Sequence, residues 1–264
     1  MNAFNNTGMS QDLTALVISS EGQTRLEKPV ANEHPLTIIF NGQELATLLC
    51  SPDSLEELTA GFLSSEGFLA NREEIKSLRI DLERGIARPE TIQDKEVPRE
   101  VLYKRLISTG CGRGAAFYSA LDSADTQVAS LTTLAAAEII SLTQTFQHAS
   151  NTYQTTHGVH SAALYGGTNI LLHAEDIGRH NAIDKVFGQA LLKGIAIEGC
   201  TIITSGRITS EIAHKAAKKG IPIIISISAP TTLAVQAAGR LGITLVALVR
   251  GGKLSVFSHE ERII

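Results

Sequence analysis

The sequence predicts an α/β protein, α+β overall, with a smaller first domain and a larger second one, and three observations predict it. Residues 35–50 alternate apolar and polar side chains around Asn41-Gly42, the pattern of a tight β-hairpin. From residue 161 onward, apolar β-branched runs alternate with segments of helical spacing, which describes a sheet covered on both faces by helices. A length of 264 residues exceeds the usual size of one domain, so two bodies with separate cores are expected. The expected division is a loosely held, polar start over 1–20, an α+β domain over 21–108 and a larger domain over 109–264.

Composition narrows the function classes. Hydrophobic residues make up 43% and charged residues 19%, as in an ordinary folded soluble protein. Twenty-three basic against 27 acidic side chains give a net charge of −4, so no overall positive field advertises a nucleic acid or an acidic membrane, and an anionic ligand needs a local site. The start carries no basic segment followed by an apolar run, and nothing later supplies the roughly 20 apolar residues that span a bilayer; the cytoplasm is the expected compartment. Cys50, Cys111 and Cys200 are too few and too scattered for a disulfide framework or a four-ligand structural zinc site.

Taken in order, two strands flank Asn41-Gly42, and Cys50 ends the second as core filler. A helix follows, with Ser54 as expected N-cap, Glu57 completing a capping box, and Leu55, Leu58, Phe62 and Leu63 on one face. Residues 71–106 read as strands around an acidic loop with Pro89 and Pro98. A helix is expected over 131–146, paired strands across Gly166-Gly167, and then helices over 176–192, 209–219 and 231–240 alternating with strands over 199–205, 221–227 and 243–249.

Two places carry chemistry. The first is Leu106-Ile-Ser-Thr-Gly-Cys-Gly-Arg-Gly-Ala-Ala-Phe117. A thiol among Gly110, Gly112 and Gly114, with Arg113 two residues on, has a cation to favour its thiolate and a backbone that a large partner can approach. Cys111 is the candidate nucleophile; a small buried hydrophobe in a turn is the other reading. The second is the set of carboxyl ends of the later strands, where Ser205-Gly206-Arg207, Ser228-Ala229-Pro230-Thr231 and Arg250-Gly251-Gly252 converge. Glycine and arginine beside helix starts hold phosphates through backbone N–H groups and guanidinium forks. Arg179 opens another helix and is a candidate ligand contact, while His160 stays open between a ligand-facing and a structural role.

With those residues in hand, the chain resembles the FdhD/NarQ family of formate dehydrogenase accessory proteins over roughly 35–264. The resemblance rests on Leu55-Glu-Glu-Leu-Thr-Ala-Gly-Phe-Leu-Ser-Ser-Glu-Gly67, Ser108-Thr-Gly-Cys-Gly112, Glu175-Asp-Ile-Gly-Arg-His-Asn-Ala-Ile-Asp-Lys185, Ser205-Gly-Arg207 with Glu211, and Ser228-Ala-Pro-Thr231. It implies a cytidine-deaminase-like, three-layer α/β/α second domain. It also implies a sulfur carrier: a cysteine desulfurase loads a persulfide on Cys111, and the sulfur passes to molybdenum bis(molybdopterin guanine dinucleotide) destined for formate dehydrogenase. Cofactor contacts are implied at Ala247, Leu248, Val249, Arg250, Gly251 and Gly252, beside Arg207 and Arg179, and a homodimer is implied. The family loop carries a second cysteine three residues after the first, where this chain has Gly114. Sulfur relay between two loop thiols is therefore not open to it, and a cofactor-binding scaffold without sulfur transfer is the alternative.

A zinc nucleoside deaminase is the further rival, because His173-Ala174-Glu175 copies half of that signature. The other half, a Pro-Cys-x-x-Cys pair, is missing from 205–211, so no zinc is expected.

Overall fold

The computed structural model describes residues 8–93, 95 and 127–264. The Cys111 loop with Arg113 and its glycines, and the strand expected near 101–106, lie outside the described residues.

The chain opens with a two-stranded antiparallel ribbon, β1 (Ser10–Ser19) against β2 (Gly22–Ala31). Residues 10–19 thus form a strand where composition suggested a loosely held start: the alternating Leu13, Ala15 and Val17 favour extended backbone, and their polar neighbours masked that pattern. Next comes a four-stranded sheet in the order β4-β3-β6-β5, built from β3 (His34–Phe40), β4 (Gln43–Cys50), β5 (Ile75–Asp81) and β6 (Ile86–Thr91). The Asn41-Gly42 turn has positive φ at both central residues, as a two-residue hairpin of matching twist requires. Leu36, Ile38 and Phe40 of β3 point together into a core closed by Leu58, Phe62 and Leu63 of α1 (Leu55–Ser65).

Helix α1 does not start with the expected capping box. Ser54 lies in the left-handed region, makes no side-chain cap bond and donates its hydroxyl to Asp53. The cause is tertiary: Asp53 accepts from Lys185 Nζ at 2.7 Å, and that contact sets the turn in place of a local cap.

The larger sheet has the order β12-β11-β10-β9-β7-β8, formed by β7 (His160–Gly166), β8 (Asn169–Asp176), β9 (Thr201–Thr204), β10 (Ile223–Ser226), β11 (Thr244–Arg250) and β12 (Lys253–Ser258). The central β9, β10 and β11 run parallel, and their neighbours are antiparallel. Every residue of β9 and β10 is buried, which explains why these strands read as continuous apolar runs. One face packs Ala162, Ile202, Ile224 and Leu245 against α4 (Arg179–Lys193), α5 (Ser210–Lys218) and α6 (Thr232–Leu241). The other packs Ala163, Ile203, Ile225 and Val246 against Ile139, Leu142 and Phe146 of α2 (Ala136–His148). A short α3 (Asn151–Thr156) leads into β7.

The two sheets are joined through α1 and α4. A Cβ placed on Gly61 would lie 1.7 Å from the Asp184 carbonyl oxygen, and one on Gly188 would lie 1.8 Å from that of Glu57. Backbone meets backbone at this crossing, which only glycine on both sides permits.

Candidate functional site

The turns after β9 and β10 are laced to each other, and the second is tied to β11. After β9, Ser205 N–H donates to the Ser161 carbonyl at 3.0 Å, while Ser161 N–H donates to Ser205 Oγ at 2.9 Å. Gly206 N–H donates to Thr204 Oγ1, and Ser226 Oγ donates to the Gly206 carbonyl at 2.7 Å. The turn after β10 closes on the first one: Ile208 N–H reaches the Ala229 carbonyl, and Thr231 N–H reaches that of Ile208 at 2.9 Å. Leu248 of β11, at φ 57°, donates its N–H to the Ser228 carbonyl. Two of the three expected turns, after β9 and β10, are therefore joined by hydrogen bonds, and none of these bonds involves Arg250, Gly251 or Gly252.

Arg179 and Arg207 both lie near His160 on this surface. Arg179 is buried, and its side chain lies across Gly206, whose absent Cβ would be 2.7 Å from Arg179 Cβ. Glycine in Ser205-Gly206-Arg207 is thus needed for close approach by the arginine of a different helix. Both guanidiniums act on His160, the first residue of β7. Burial lowers its pKa, and the charges of Arg179 and Arg207 lower it further, so the imidazole is neutral near pH 7. Its Nδ1 lies 3.4 Å from Ser205 Oγ. At the next residue of α4, His180 Nδ1 lies 3.6 Å from Glu211 Oε1 at the start of α5. Two guanidiniums, a neutral imidazole and two helix N-termini form an electropositive surface suited to an anion with several oxygens.

The segment 175–185 splits between this surface and the joint with the first sheet. Asp176 is fully buried and accepts from Ser51 N–H at 3.0 Å, Gly178 N–H at 2.8 Å and Asn181 Nδ2 at 2.9 Å. Lys185, also fully buried, lies 2.9 Å from Asp176 Oδ2 and 2.7 Å from Asp53 Oδ1. Burial opposes the charge on Lys185, yet the two carboxylates outweigh it and raise its pKa, so it remains an ammonium. Asn181 also donates to the Leu49 carbonyl. One turn on, Asp184 accepts from Ser65 Oγ at 2.7 Å and from Lys215 Nζ at 2.8 Å. Asp176, Asn181, Asp184 and Lys185 therefore hold α4 against the first sheet and α1, while Arg179 and His180 lie on the side of the strand-end turns. Asp176 does not cap a helix that it begins: α4 begins at Arg179 after Gly178.

The other expected site residues divide. Ala247 and Val249 lie within β11 with their side chains in the two opposite cores, so they can offer a ligand only backbone. Arg250, Gly251 and Gly252 form the exposed β11–β12 turn, whose two glycines have positive φ. Cys111 lies outside the described residues. Cys50 is fully buried, and burial first, then the Asp176 charge, pushes its thiol well up; burial raises that of Cys200 too. Among the described residues, no three of His, Cys, Asp and Glu gather as metal ligands.

Sequence reading left two contributors unassigned. His160 joins Arg179 and Arg207 only once the register of β7 with β9 is known, and its one visible sign was its place at the start of an apolar strand. Ser205 had been valued as part of a glycine turn, whereas here it fixes the imidazole.

This arrangement is an electropositive surface at the carboxyl edge of a mixed sheet, braced by a buried ion-pair joint to a second sheet. Comparison with known proteins gives it a family. Residues 31–264 match the model of the FdhD/NarQ family. The chain is 46% identical over 233 residues, 88% of each chain, to proteins named Sulfur carrier protein FdhD from Staphylococcus aureus strains MRSA252 and JH9. A crystal structure of a formate dehydrogenase accessory protein from Desulfotalea psychrophila matches 97% of this chain and 100% of its own, with a TM-score of 0.78 and 31% identity. The chain belongs to the FdhD/NarQ family. The mixed α/β fold expected from its sequence is the fold found, and no helix among the described residues is long and apolar enough to cross a membrane.

Proposed function

We propose that this protein is a sulfur carrier in the maturation of formate dehydrogenase. Cys111 attacks the outer sulfur of a cysteine desulfurase persulfide; a new S–S bond forms, the old one breaks, and the desulfurase thiolate leaves. The sulfur then passes to molybdenum bis(molybdopterin guanine dinucleotide), the substrate held at the turns after β9, β10 and β11, with Arg179 and Arg207 on its phosphates and Arg250, Gly251 and Gly252 at its edge. On this reading Ala247, Leu248 and Val249 contribute through backbone. The working unit is a homodimer in the cytoplasm. The division at residue 108, and a cytidine-deaminase-like second domain, belong to the same reading.

The observation that carries it is the likeness, at 46% identity over 88% of the chain, to proteins named sulfur carriers. Two findings add support. The charges of Arg179 and Arg207 both bear on His160 at the sheet edge. Cys50 and Cys200, with thiols pushed up by burial, leave Cys111 as the thiol suited to exchange. The absence of a second loop cysteine at Gly114 fits direct transfer from one persulfide. Incubation with a desulfurase and cysteine, followed by peptide mass spectrometry, tests it: one added sulfur on the Cys111 peptide is expected. An unmodified Cys111, with full formate dehydrogenase maturation by Cys111→Ala, would instead mark the protein as a scaffold for the cofactor.

A further inference from the structure

The ribbon of β1 and β2 stands apart from both sheets. Among the described residues β1 pairs with β2 alone. The ribbon is tied down at one end, where Asn32 donates its N–H to the Met9 carbonyl at 2.9 Å and its Nδ2 to that of Gly8 at 2.7 Å, and where β2 packs on α3. Along its length Leu13, Leu16, Ile18 and Leu26 are 46%, 50%, 66% and 44% exposed. A two-stranded ribbon of this kind is marginal in water without further strands or a covered apolar face.

Its two edges are unlike. Antiparallel pairs alternate between hydrogen-bonded and non-hydrogen-bonded, and the turn at Ser20-Glu21 makes Val17↔Thr24 a pair of the first kind and Ile18↔Gln23 one of the second. Asp12, Thr14, Leu16 and Ile18 therefore aim their N–H and C=O groups away from β2, while Gln23, Arg25, Glu27 and Pro29 face away from β1. Pro29, opposite Asp12, has no N–H to offer there. With Arg25, Glu27 and Lys28 it makes the outer side of β2 a protected edge. Strand β1 holds no proline, and Asp12 is its single charge in 10 residues, so its outer edge is left open to another strand.

We propose that this edge pairs with β1 of a second copy, antiparallel across a two-fold axis, so that two ribbons make one four-stranded sheet. The inference takes up the homodimer of the proposed function and names its surface. A second copy is the occupant that β1 itself specifies, because a two-fold axis sets a strand antiparallel to its own copy. With Ala15 opposite the partner's Ala15, Asp12 pairs with the partner's Ile18 and Thr14 with the partner's Leu16, so all four outward-facing residues are used. Leu13 then lies opposite the partner's Val17, and Leu26, across from Ala15 in its own ribbon, extends the apolar row on both sides. The two Asp12 carboxylates stand about 20 Å apart along the strands, beyond the screening length of physiological salt, so no like charges oppose the pairing.

Sedimentation velocity on the full chain over a concentration series tests this, with two variants matched across one register pair. Thr14→Pro and Glu27→Pro each lose the Thr14 hydroxyl bond to Glu27 and one outward N–H, from opposite edges of the ribbon. The native chain is expected to be a dimer. Thr14→Pro is expected to weaken it about 10–100-fold, the effect of two hydrogen bonds lost per dimer, and Glu27→Pro to leave it within about twofold. Ala15→Cys in a Cys111→Ala chain is expected to give a disulfide-linked dimer with copper phenanthroline, because a non-hydrogen-bonded pair sets its Cα atoms about 4.5 Å apart. Leu13→Cys, about 13 Å from its copy, is expected to stay unlinked. A native monomer, which leaves the edge to another segment or to a client's strand, overturns the proposal; so does equal weakening by both proline variants, or linkage through Leu13→Cys in place of Ala15→Cys. A monomer that still takes one sulfur on Cys111 overturns the pairing and leaves the carrier reading standing. A dimer linked at residue 15, with no sulfur taken by native Cys111, supports the pairing and sinks that reading.

Discussion

Replacing Gly61 by alanine tests the joint between the two sheets. Its new Cβ would lie 1.7 Å from the Asp184 carbonyl oxygen and 2.8 Å from the Gly188 amide nitrogen, against ordinary contacts of 3.4–4 Å. No rotamer relieves this, because the obstructing atoms are backbone. The helices must separate by more than an ångström, and α4 cannot shift alone while Asp184 is held by Ser65 and Lys215 and Asp176 by Ser51. Overpacking of this kind costs about 3 kcal/mol or more; alanine returns about 1 kcal/mol of helix propensity, so a net loss near 2 kcal/mol is expected. Gly239 is the internal control. It also lies in a helix, α6, but a Cβ there meets nothing within 4 Å, so Gly239→Ala should stabilise by roughly 0.5–1 kcal/mol. In thermal melts the first variant should fall by roughly 4–8 °C and the second rise by about 1–4 °C. If both variants move the midpoint in the same direction, the close crossing is not what joins the lobes.

Three further outcomes follow from the buried groups. Lys185→Met should cost about 3–5 kcal/mol, because it strips the buried Asp176 carboxyl, whose pKa burial already raises, of its partner, and adding Asp176→Asn should restore part of that loss; urea denaturation of both variants measures it. Iodoacetamide at pH 8 should modify Cys111 in the native protein, with Cys50 and Cys200 labelled only after denaturation, since burial raises both of their thiols; peptide mapping reads the order. His160 and His173 both have pKa values depressed below 6.5, chiefly by burial. Between that value and the lower folded one the unfolded chain binds more protons, so their contribution is intact above pH 6.5 and fades as pH falls through this window. The melting temperature should drop between pH 7 and 5, and His173→Leu, which removes a ring whose Nε2 has no hydrogen-bond partner among the described residues, should flatten that slope.

Much of the architecture was legible because its signals are local. Continuous β-branched runs at 221–225 and 201–203 mark strands buried on both faces, and Asn41-Gly42 marks a turn needing positive φ twice. The convergence of glycine and arginine turns at strand ends was legible for the same reason: sheet topology, more than any one side chain, puts them there. What escaped depends on contacts distant in sequence. Ser54 fails as a cap because Lys185, 131 positions away, holds its neighbour Asp53. Asp176 reads as the start of a helix that includes Asn181, yet their bonds run to Ser51 and Leu49. His160 gains its meaning from Ser205, Arg179 and Arg207 at once, and no spacing rule joins four residues from three elements.

The helix that supplies Arg179 is the same one that clamps the first sheet, and this ties ligand binding to the joint. Arg179 is the first residue of α4, three residues beyond Asp176 and six before Lys185. Its guanidinium can lie over Gly206 only while the helix start is held, and the holding bonds come from Ser51, Leu49 and Asp53 of the other lobe. Loosening that lobe therefore displaces Arg179 without touching the turns at the strand ends. The coupling works in both directions, because an anion that engages Arg179 in this position favours the clamped arrangement over any opened one. Lys185→Met should accordingly weaken binding of GDP-mannose, a pyrophosphate diester, whereas Gly239→Ala, which stabilises α6 away from the clamp, should leave it unchanged. Equal affinities for the two variants would show that Arg179 is positioned by its own lobe alone.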